Sequence, residues 1–412
     1  MERISLIIGA LGFVYGFYHV YIAIAGSLKK YTPIAYAQPS KRIAAVIPAR
    51  NEEKVVGLLV DSLKKQRYPS ELLDIYVVAN NCTDDTAGSA KNAGANVLTC
   101  DPAVQSKGDV LRCAFNQLLN GDVSYDAFVV LDADNLVNGG FMQAVNNALC
   151  AGYQVGQAYR DSKNPDDGWV AGCTSMFFWY MNGLFNRTRA TLGMSASLNG
   201  TGIMIGEKFL RRYGYHVQTL TEDLELTAQC ALDGERIAWL EDAVTYDEQP
   251  ITFRDSLSQR RRWAAGTRQC VRLYLVKLYK NAVKSQACRD VALHFSGVFP
   301  QCLGVIPAIY TIYRLVLNII KDPAKGSVQA LYALGAVALF FFLGGIASSL
   351  LVCLLEKKLT KKRVADSMMM GVYLVTWIFT NLIGYLWIAP KWVEIPHVSN
   401  VNIDHCEQSP DA

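Results

Sequence analysis

Histidine and paired cysteines are scarce in this 412-residue sequence. It has 5 histidines and 11 cysteines, but no Cys-x-x-Cys pair and no Cys/His spacing of the kind that binds zinc. The sequence therefore lacks the pattern of a structural metal cluster. We expect cysteines in a cytoplasmic domain to be reduced and buried.

An excess of charge of one sign is also missing. The 40 Lys and Arg residues nearly balance 36 Asp and Glu residues, which leaves a formal net charge of +4. No cluster of Lys and Arg is interleaved with aromatic side chains, so the usual features of a nucleic-acid-binding surface are absent from the sequence. We expect no nucleic acid among the partners.

Long apolar runs are abundant instead. Hydrophobic residues make up 51% of the chain and concentrate in four blocks, at 4–25, 291–320, 328–355 and 365–389. Each block is long enough to cross a hydrocarbon core of roughly 30 Å. The first block lacks a basic N-terminal region and a clear Ala-x-Ala cleavage site, so we interpret it as an uncleaved anchor rather than a signal peptide.

Basic residues beside these blocks predict how the protein is oriented in the cell membrane. They follow the first block and separate the third block from the fourth: Lys29, Lys30, Lys41, Arg42 and residues 356–363. The positive-inside rule places both groups in the cytoplasm, together with the domain between the first two blocks.

The side of the membrane on which the tail lies stays open. The tail is outside if all four blocks span, but Pro300 and Pro307 allow the second block to begin as an interfacial segment. The stretch Lys391–His397 is typical of an interfacial anchor. If it is cytoplasmic, it is also compatible with a segment that covers the active site.

The sequence divides into five regions on this basis. Residues 1–28 form an N-terminal transmembrane anchor, 40–264 a cytoplasmic α/β domain, 265–290 an interfacial amphipathic helix, 291–390 about three transmembrane helices and 391–412 a polar tail. The interfacial assignment depends on apolar residues that alternate with Arg and Lys.

Strand and helix patterns alternate in the first half of the α/β domain. Short apolar runs predict strands at 42–47, 73–79, 97–98 and 127–131, with helical patterns between them. This alternation is typical of a parallel sheet with helices on both faces. The polar residues that follow each strand would then collect in one crevice at the carboxyl edge of the sheet.

The second half of the domain is less regular. Further strands are predicted at 153–160, 203–205, 236–240 and 243–246, and an aromatic-rich helix at 170–192. Within this helix, four adjacent aromatic residues are compatible with packing in the core and on membrane helices, or with a platform for a sugar ring.

The strand at 127–131 ends on two carboxylates, Asp132 and Asp134. Two hard oxygen donors at this edge suit Mg²⁺ or Mn²⁺, which phosphate oxygens usually help to hold. The arrangement favours a site for a nucleotide diphosphate, although Asp-x-Asp alone also occurs in solvated loops. Two glycines in the turn at 199–202 would allow a ligand to approach the backbone closely.

Four polar motifs follow one another along the chain: Pro48-Ala-Arg-Asn-Glu52, Asp132-Ala-Asp134, Thr221-Glu-Asp223 and Gln259-Arg-Arg-Arg-Trp263. In this order and spacing they resemble the motifs of family-2 glycosyltransferases of the membrane-embedded polysaccharide synthase type, such as cellulose, hyaluronan and poly-N-acetylglucosamine synthases. The resemblance covers residues 40–265. It implies a GT-A (Rossmann-like) α/β fold flanked by transmembrane helices, a UDP-sugar donor and an inverting displacement at the anomeric carbon.

The resemblance also implies roles for individual residues. Asp223 is expected to be the catalytic base, and Asp134, with Asp132, is expected to hold Mg²⁺ or Mn²⁺. The residues expected at the diphosphate and the acceptor end of the sugar chain are Glu222, Gln259, Arg262 and Trp263. The residues expected to bind the donor are Pro48, Arg50, Asn51, Glu52, Lys107 and Asp132.

One turn departs from the pattern of the family. Relatives commonly carry an Asp after the second strand, near the nucleotide, where this chain has Asn80 and, further on, Asp84. Either Asn80 or Asp84 serves the nucleotide here, or the donor preference has changed.

Three functions compete at this point. The leading hypothesis is an integral membrane enzyme of the cell envelope that extends a polysaccharide, helps to export it and is compatible with partner export subunits. The alternative is an enzyme that adds one or a few sugars to a membrane lipid. Only about three C-terminal spans favour the lipid, whereas the Gln-x-x-Arg-Trp motif favours the polymer. Intact motifs argue against the third hypothesis, a non-catalytic membrane scaffold.

Overall fold

The computed structural model describes residues 2–386 and 401–408. The predicted interfacial segment Lys391–His397 lies outside the described residues. The strands are β1 (Ile43–Ala49), β2 (Leu73–Ala79), β3 (Asn96–Leu98), β4 (Ala127–Val130), β5 (Leu136–Val137), β6 (Val155–Ser162), β7 (Ile203–Gly206) and β8 (Ile237–Asp247).

Helices make up most of the remaining structure. They are α1 (Glu2–Ser27), α2 (Val56–Lys64), α3 (Thr86–Asn92), α4 (Lys107–Leu119), α5 (Phe141–Cys150), α6 (Trp169–Tyr180), α7 (Thr188–Thr191), α8 (Glu207–Tyr213), α9 (Glu222–Asp233), α10 (Phe253–Asn281), α11 (Gln286–Ser296), α12 (Val298–Leu303), α13 (Val305–Lys321), α14 (Pro323–Leu355), α15 (Lys361–Ser367), α16 (Met370–Leu386) and α17 (Ile403–Gln408). A π-helical stretch, Met181–Arg187, joins α6 to α7, so the predicted helix at 170–192 is continuous.

The strands form one mixed sheet in the order β3-β2-β1-β4-β7-β6-β8-β5. The first four are parallel, as predicted. The less regular second half of the domain adds antiparallel pairs, because β7 runs antiparallel to both β4 and β6, and β5 runs antiparallel to β8. Alternation along the chain does not specify that β7 is inserted between two strands that precede it in sequence.

Both faces of the sheet are buried, as expected for strands covered by helices. Alternate residues of β1 belong to different cores: Ala44 and Val46 face one cluster, and Ile43, Ala45 and Ile47 face the other. The sheet is therefore the middle layer of the domain. Because helices cover both faces, only the ends of the strands remain open to a ligand.

The two strands predicted at 236–240 and 243–246 are one strand, β8. It pairs in parallel with β6, with an irregularity in register between Ala158 and Tyr159. Beyond that irregularity the pairing continues to Ser162 and Asp247. This extension places Arg160 and Asp247 at the same edge of the sheet as the end of β4.

Within residues 2–386 and 401–408, three segments are long and apolar enough to cross a membrane: Arg3–Ser27, Gln286–Lys321 and Pro323–Leu355. They coincide with the first three predicted blocks. The fourth block corresponds to a bent pair of helices, Lys361–Ser367 and Met370–Gly384, with an angle of 46° between them.

Helix α10 passes through the boundary that we predicted at residue 264. Its first half, with Arg260, contacts α16, and its second half shares a buried cluster with α9 and α11 that includes Ala228, Tyr274 and Phe295. The Gln-x-x-Arg-Trp motif and the predicted interfacial segment thus belong to one 29-residue helix.

One expectation about the cysteines is wrong. Cys100, just after β3, and Cys113, on α4, form a disulfide. The remaining nine cysteines form no disulfide, as expected, but Cys150 is exposed rather than buried.

Candidate active site

Lys107 links the Asp-x-Asp and Thr-Glu-Asp motifs. Its Nζ lies 2.6 Å from Asp132 Oδ1 and 2.9 Å from Glu222 Oε1, and it donates a hydrogen bond of 2.9 Å to the Gly200 carbonyl. The lysine begins α4, Asp132 follows β4, and Glu222 begins α9. Three segments that are distant in sequence therefore converge on one ammonium group.

This ammonium group is a fixed positive charge. Burial alone would lower the pKa of Lys107, but Asp132 and Glu222 raise it above its usual value. Burial likewise opposes ionisation of Glu222, but Lys107 holds the pKa of Glu222 below its usual value. Lys107 and Glu222 are therefore both ionised at neutral pH.

Asp223 lies in the first turn of α9, beside the turn that contains Gly200. Gly200 has φ +87°, and a Cβ added to it would lie 3.7 Å from Asp223 Oδ2. The other carboxylate oxygen accepts a hydrogen bond of 2.8 Å from the backbone of Leu224. Burial, followed by the charge of Glu222, raises the pKa of Asp223 to about 6. A carboxylate with this pKa suits a base that works near neutral pH.

Arg160 and Asp247 complete the site, and sequence reasoning missed both. Arg160 Nε lies 2.9 Å from Asp247 Oδ2, and Nη1 donates a hydrogen bond of 2.8 Å to the Asn199 carbonyl. The guanidinium lies 3.8 Å from the ring centroid of Phe178. An Arg at the end of the strand predicted at 153–160 was the available signal.

The carboxylates at the ends of β4 and β8 fit a divalent cation only in part. Burial and the charges of Asp134 and Asp132 act to raise the pKa of Asp247, and the buried Asp247 Oδ1 has no hydrogen-bond partner. Carboxylate oxygens are the donors that Mg²⁺ and Mn²⁺ prefer. Among the described residues, however, no three His, Cys, Asp or Glu side chains form a metal site. Additional ligands, such as phosphate oxygens, would have to complete the coordination.

The turn after β1 contacts the turn after β2. Arg50 Nε donates to the Asn80 carbonyl at 3.3 Å, and the Thr83 backbone donates to Asn51 Oδ1 at 2.8 Å. The backbone of Glu52 donates to Thr86 Oγ1 at 2.9 Å. Pro48, by contrast, lies within β1, opposite Val78 of β2. Of the predicted donor-binding residues, Arg50, Asn51 and Glu52 therefore lie in a turn that adjoins the turn of Asn80.

Asn80 and Asp84 differ in the hydrogen bonds that they already make. Asn80 Nδ2 donates to the Val104 carbonyl at 2.9 Å, while its buried Oδ1 has no partner. Asp84 accepts hydrogen bonds from the backbones of Glu53 and Thr86. Although burial opposes it, these bonds and the Thr86 hydroxyl lower the pKa of Asp84. Asp84 thus stabilises the turn, and Asn80 keeps an acceptor without a partner.

Helix α10 brings the last motif to the same cleft. The charge of Arg262 acts on Glu222 and lowers its pKa. The ring of Trp263 lies 6.0 Å from Phe178 and 6.0 Å from Trp377, between centroids. Gln259 lies one turn earlier on the helix and is partly exposed. Phe178, on the aromatic helix α6, contacts both Arg160 and Trp263.

A Rossmann-like parallel half, an antiparallel insertion and an acidic cleft at the strand ends are the features of the GT-A fold. The mannosyltransferase PcManGT from Pyrobaculum calidifontis, solved in complex with GDP-Man and Mn²⁺, aligns with a TM-score of 0.62 over 92% of this chain and 98% of that one. The two chains are 16% identical, so the similarity establishes the fold.

The family follows from the sequence comparison. The family model described as glycosyltransferase like family 2 matches residues 39–266, and the chain belongs to this family. The predicted GT-A fold and glycosyltransferase class are confirmed, whereas the polysaccharide synthase type is not confirmed.

Two curated relatives resemble most of the chain. The probable glycosyltransferase YdaM of Bacillus subtilis is 27% identical over 64% of this chain and 64% of its own length. The beta-monoglucosyldiacylglycerol synthase of Nostoc is 25% identical over 70% of this chain and 61% of its own length. The chain thus spans less than two thirds of the length of these relatives.

Proposed function

We propose that this chain is a membrane-bound, inverting glycosyltransferase that moves a sugar from a nucleoside diphosphate sugar to a lipid acceptor. The main support is the contact of Lys107 with both Asp132 and Glu222. Asp132 belongs to the side of the cleft proposed for the leaving group, and Glu222 is next to Asp223 in sequence. The contact through Lys107 therefore joins these two sides of the cleft. The relative named beta-monoglucosyldiacylglycerol synthase supports a lipid acceptor.

The proposed reaction is a single displacement. Asp223 takes the proton of the acceptor hydroxyl, whose oxygen attacks the anomeric carbon of the donor sugar. The bond from that carbon to the diphosphate oxygen breaks, and the nucleoside diphosphate leaves with the electron pair. Lys107 and Arg262 supply positive charge on the side where the leaving group develops negative charge.

Asp134 and Asp132 are the residues proposed to hold a divalent cation. When bound, Mg²⁺ or Mn²⁺ would neutralise charge on the diphosphate. The complex of PcManGT with GDP-Man and Mn²⁺ is consistent with this assignment. Glu222 is proposed to keep Lys107 in place rather than to bind the cation.

The turns after β1 and β2 are proposed to bind the nucleotide. Arg50, Asn51 and Glu52 would line the base and ribose, and the acceptor oxygen of Asn80 replaces the Asp that relatives commonly carry. An amide both accepts and donates hydrogen bonds, so uridine and guanosine donors both need to be tested.

Polysaccharide extension is the second candidate. It is favoured by the intact Gln259–Trp263 motif, whose Trp263 ring packs beside Phe178 at the cleft. In this reading Trp263 stacks on the end of a growing sugar chain, and Gln259 helps to hold it. In both readings the catalytic domain is proposed to lie in the cytoplasm.

A donor and acceptor screen tests the proposal. The full chain in detergent is mixed with Mn²⁺, diacylglycerol and labelled UDP- or GDP-sugars, and released nucleotide and product partitioning are measured. We expect a short, organic-soluble product from one donor. Long water-soluble products would instead support the polymer, and no nucleotide release with any donor would contradict both readings.

The matched control is Asp223→Asn, which keeps the shape of the side chain but removes the base. We expect transfer to fall by about 10²–10⁴-fold while nucleotide binding by calorimetry stays unchanged. Loss of nucleotide binding in this variant would instead assign Asp223 to the donor site.

A further inference from the structure

Arg160 lies at the centre of the cleft but belongs to none of the four motifs. It is 9% exposed and contacts three elements: Asp247 on β8, the Asn199 carbonyl and the ring of Phe178 on α6. A buried guanidinium with this many directed contacts is held in one orientation.

Two cations fix the turn beside Asp223. Arg160 donates a hydrogen bond of 2.8 Å to the Asn199 carbonyl. Lys107 donates one of 2.9 Å to the next carbonyl along the chain, that of Gly200. A Cβ added to Gly200 would lie 3.6 Å from Arg160 Nη1 and 3.7 Å from Asp223 Oδ2. The guanidinium and the carboxylate therefore border the same turn.

We propose that Arg160 is a positioning residue, which holds the Asn199–Gly200 turn and Asp247 in register with Asp223 for transfer of the sugar. This inference rests on the proposed function of Asp223. Arg160 acts through these neighbours and through its charge, and it does not touch the reacting atoms.

The charge of Arg160 gives the role a distinct signature. Burial and Glu222 raise the pKa of Asp223, whereas Lys107 and Arg160 lower it. The titratable or charged groups that face Asp223 come from five segments: Glu222 on α9, Lys107 on α4, Arg160 on β6, Tyr215 before α9 and Cys270 on α10. Removal of Arg160 should therefore raise the pKa of the base further.

The test compares Arg160→Met with Arg160→Lys in the full chain. For Arg160→Met we expect kcat to fall on the order of 10²-fold with little change in the donor KM, and the acidic limb of the kcat/KM profile to move to higher pH. Arg160→Lys should return that limb towards the wild-type position. Arg42→Met, which removes an arginine paired with Asp74 on the opposite edge of the sheet, should change neither.

The outcomes separate this inference from the proposed function. A wild-type profile in Arg160→Met, or an equal loss in the Lys variant without any shift of the limb, would overturn the positioning role. Failure of the wild-type chain to transfer sugar would contradict the proposed function itself. Arg160→Lys keeps the test valid if Arg160→Met does not fold.

A second inference concerns the bent helix pair, and it rests on different contacts. The end of α14 returns to the catalytic domain, because Glu356 Oε1 lies 2.8 Å from Arg187 Nη1 and Lys358 Nζ lies 2.7 Å from Asp161 Oδ2. Residues 356–358 are therefore on the side of the membrane that carries this domain.

The helices that follow stay in contact with the same domain. Arg363 on α15, with a side chain 1% exposed, pairs with Asp166. On α16, the Tyr373 carbonyl accepts a hydrogen bond of 3.2 Å from Arg260, and a Cβ added to Gly384 would lie 2.6 Å from the Cβ of Ala264. Both ends of α16 thus contact α10.

The segment at 401–408 also docks on the catalytic domain. Ile403 and Cys406 are buried in a cluster with Leu136 of β5 and Tyr246 of β8, and Asp404 pairs with Lys65 at 2.8 Å. This cluster lies at the edge of the sheet, on the same side of the membrane as the domain.

We infer that the bent pair does not cross the membrane, so that the described residues cross it three times and residues 361–386 and 401–408 lie on the side of the catalytic domain. If the bent pair were a fourth span, the tail would lie on the side of the membrane opposite to the catalytic domain, where these contacts cannot form.

Epitope accessibility in sealed vesicles of both orientations tests this topology in the full chain. One tag is added after Ala412, a second is inserted after Gly121 in the catalytic domain, and a third between Lys321 and Pro323, beyond the second span. We expect the tag at residue 412 to be accessible in the same vesicle orientation as the tag at Gly121, and protected in the other orientation. If the tag at residue 412 instead has the same accessibility as the tag after Lys321, the inference is overturned.

Discussion

At the scale of single residues, the environment of Asp223 differs from that of the neighbouring Glu222. Both are in the first turn of α9, but Glu222 contacts Lys107 and has a lowered pKa. Asp223 lacks such a direct ion pair among the described residues, and its pKa is raised to about 6. Two adjacent carboxylates are thus separated into a constant anion and a group that titrates near neutral pH.

The pH dependence of transfer follows from this difference. A base works only when ionised, so kcat/KM should rise as the pH passes through about 6 and level off above it. Activity falls towards low pH because the carboxylate of Asp223 is protonated there, and only its ionised form can act as a base. Transfer rates between pH 4.5 and 8.5 provide the measurement. A profile that is flat between pH 5 and 7 would contradict the assignment of Asp223.

Asp134 belongs to a different step. Asp134→Ala should weaken Mn²⁺-dependent binding of the nucleotide by about tenfold or more, since it removes a carboxylate oxygen from the proposed cation site. Calorimetric titration with and without Mn²⁺ measures the effect. Asp122→Ala, in an exposed loop before β4, is the control and should bind as the wild type does. Equal binding by both variants would remove Asp134 from the metal site.

At the scale of elements, the turn at 199–202 was recognised in the sequence by its glycines, but its constraints come from its neighbours. Gly202 has φ +64°, and a Cβ added there would lie 2.8 Å from the Cβ of Ala158 and 3.0 Å from Thr245. The turn must therefore fit between β6 and β8 as well as adopt a left-handed backbone.

Gly202→Ala should lower the free energy of unfolding by about 2–4 kcal/mol, because it combines backbone strain with overpacking. The matched control is Gly234→Ala at the end of α9, which has φ +74° and nothing within 4 Å of the added Cβ. The control should lose only the backbone contribution of about 1–2 kcal/mol. Thermal unfolding in detergent ranks the stabilities of the two variants. Equal losses of stability would show that packing against Ala158 does not add to the cost of Gly202→Ala.

Element prediction succeeded where the signal is local. The strands β1, β2 and β4 were found because short apolar runs are bounded by polar turns. The direction of β7 was not found, since the antiparallel pairing of Ile203 with Val130 and Gln157 depends on residues far away in sequence. The merging of two predicted strands into β8 likewise depends on its pairing with β6.

At the scale of the whole molecule, the apolar C-terminal helices α14 and α16 share one core with the catalytic domain. Val352 and Cys353 of α14 and Tyr373 of α16 belong to the same buried cluster as Phe128 of the sheet. Buried ion pairs, such as Lys358 with Asp161, connect the same parts. The catalytic domain is therefore not a separate unit tethered to an anchor.

Lys358→Met should destabilise the protein by about 3–5 kcal/mol, because it leaves the charge of Asp161 buried without its partner. The side chains of Lys358 and Asp161 are 9% and 7% exposed. Lys65→Met is the control, since the pair of Lys65 with Asp404 is 53% and 55% exposed and should contribute about 0–1 kcal/mol. Melting temperatures of both variants in detergent test the comparison. Similar melting temperatures would mean that the buried pair does not connect the two parts energetically.

The sequence by itself determined the apolar segments, the strands of the first half of the sheet and the residues of the four motifs. These are local properties, set by hydrophobic periodicity and by polar residues at strand ends. Only the tertiary structure decided that Arg160 pairs with Asp247, 87 positions away, that Lys107 joins two motifs, and that residues 401–408 return to the catalytic domain. Such contacts depend on which distant segments the fold brings together, and a single sequence carries no local pattern that specifies them.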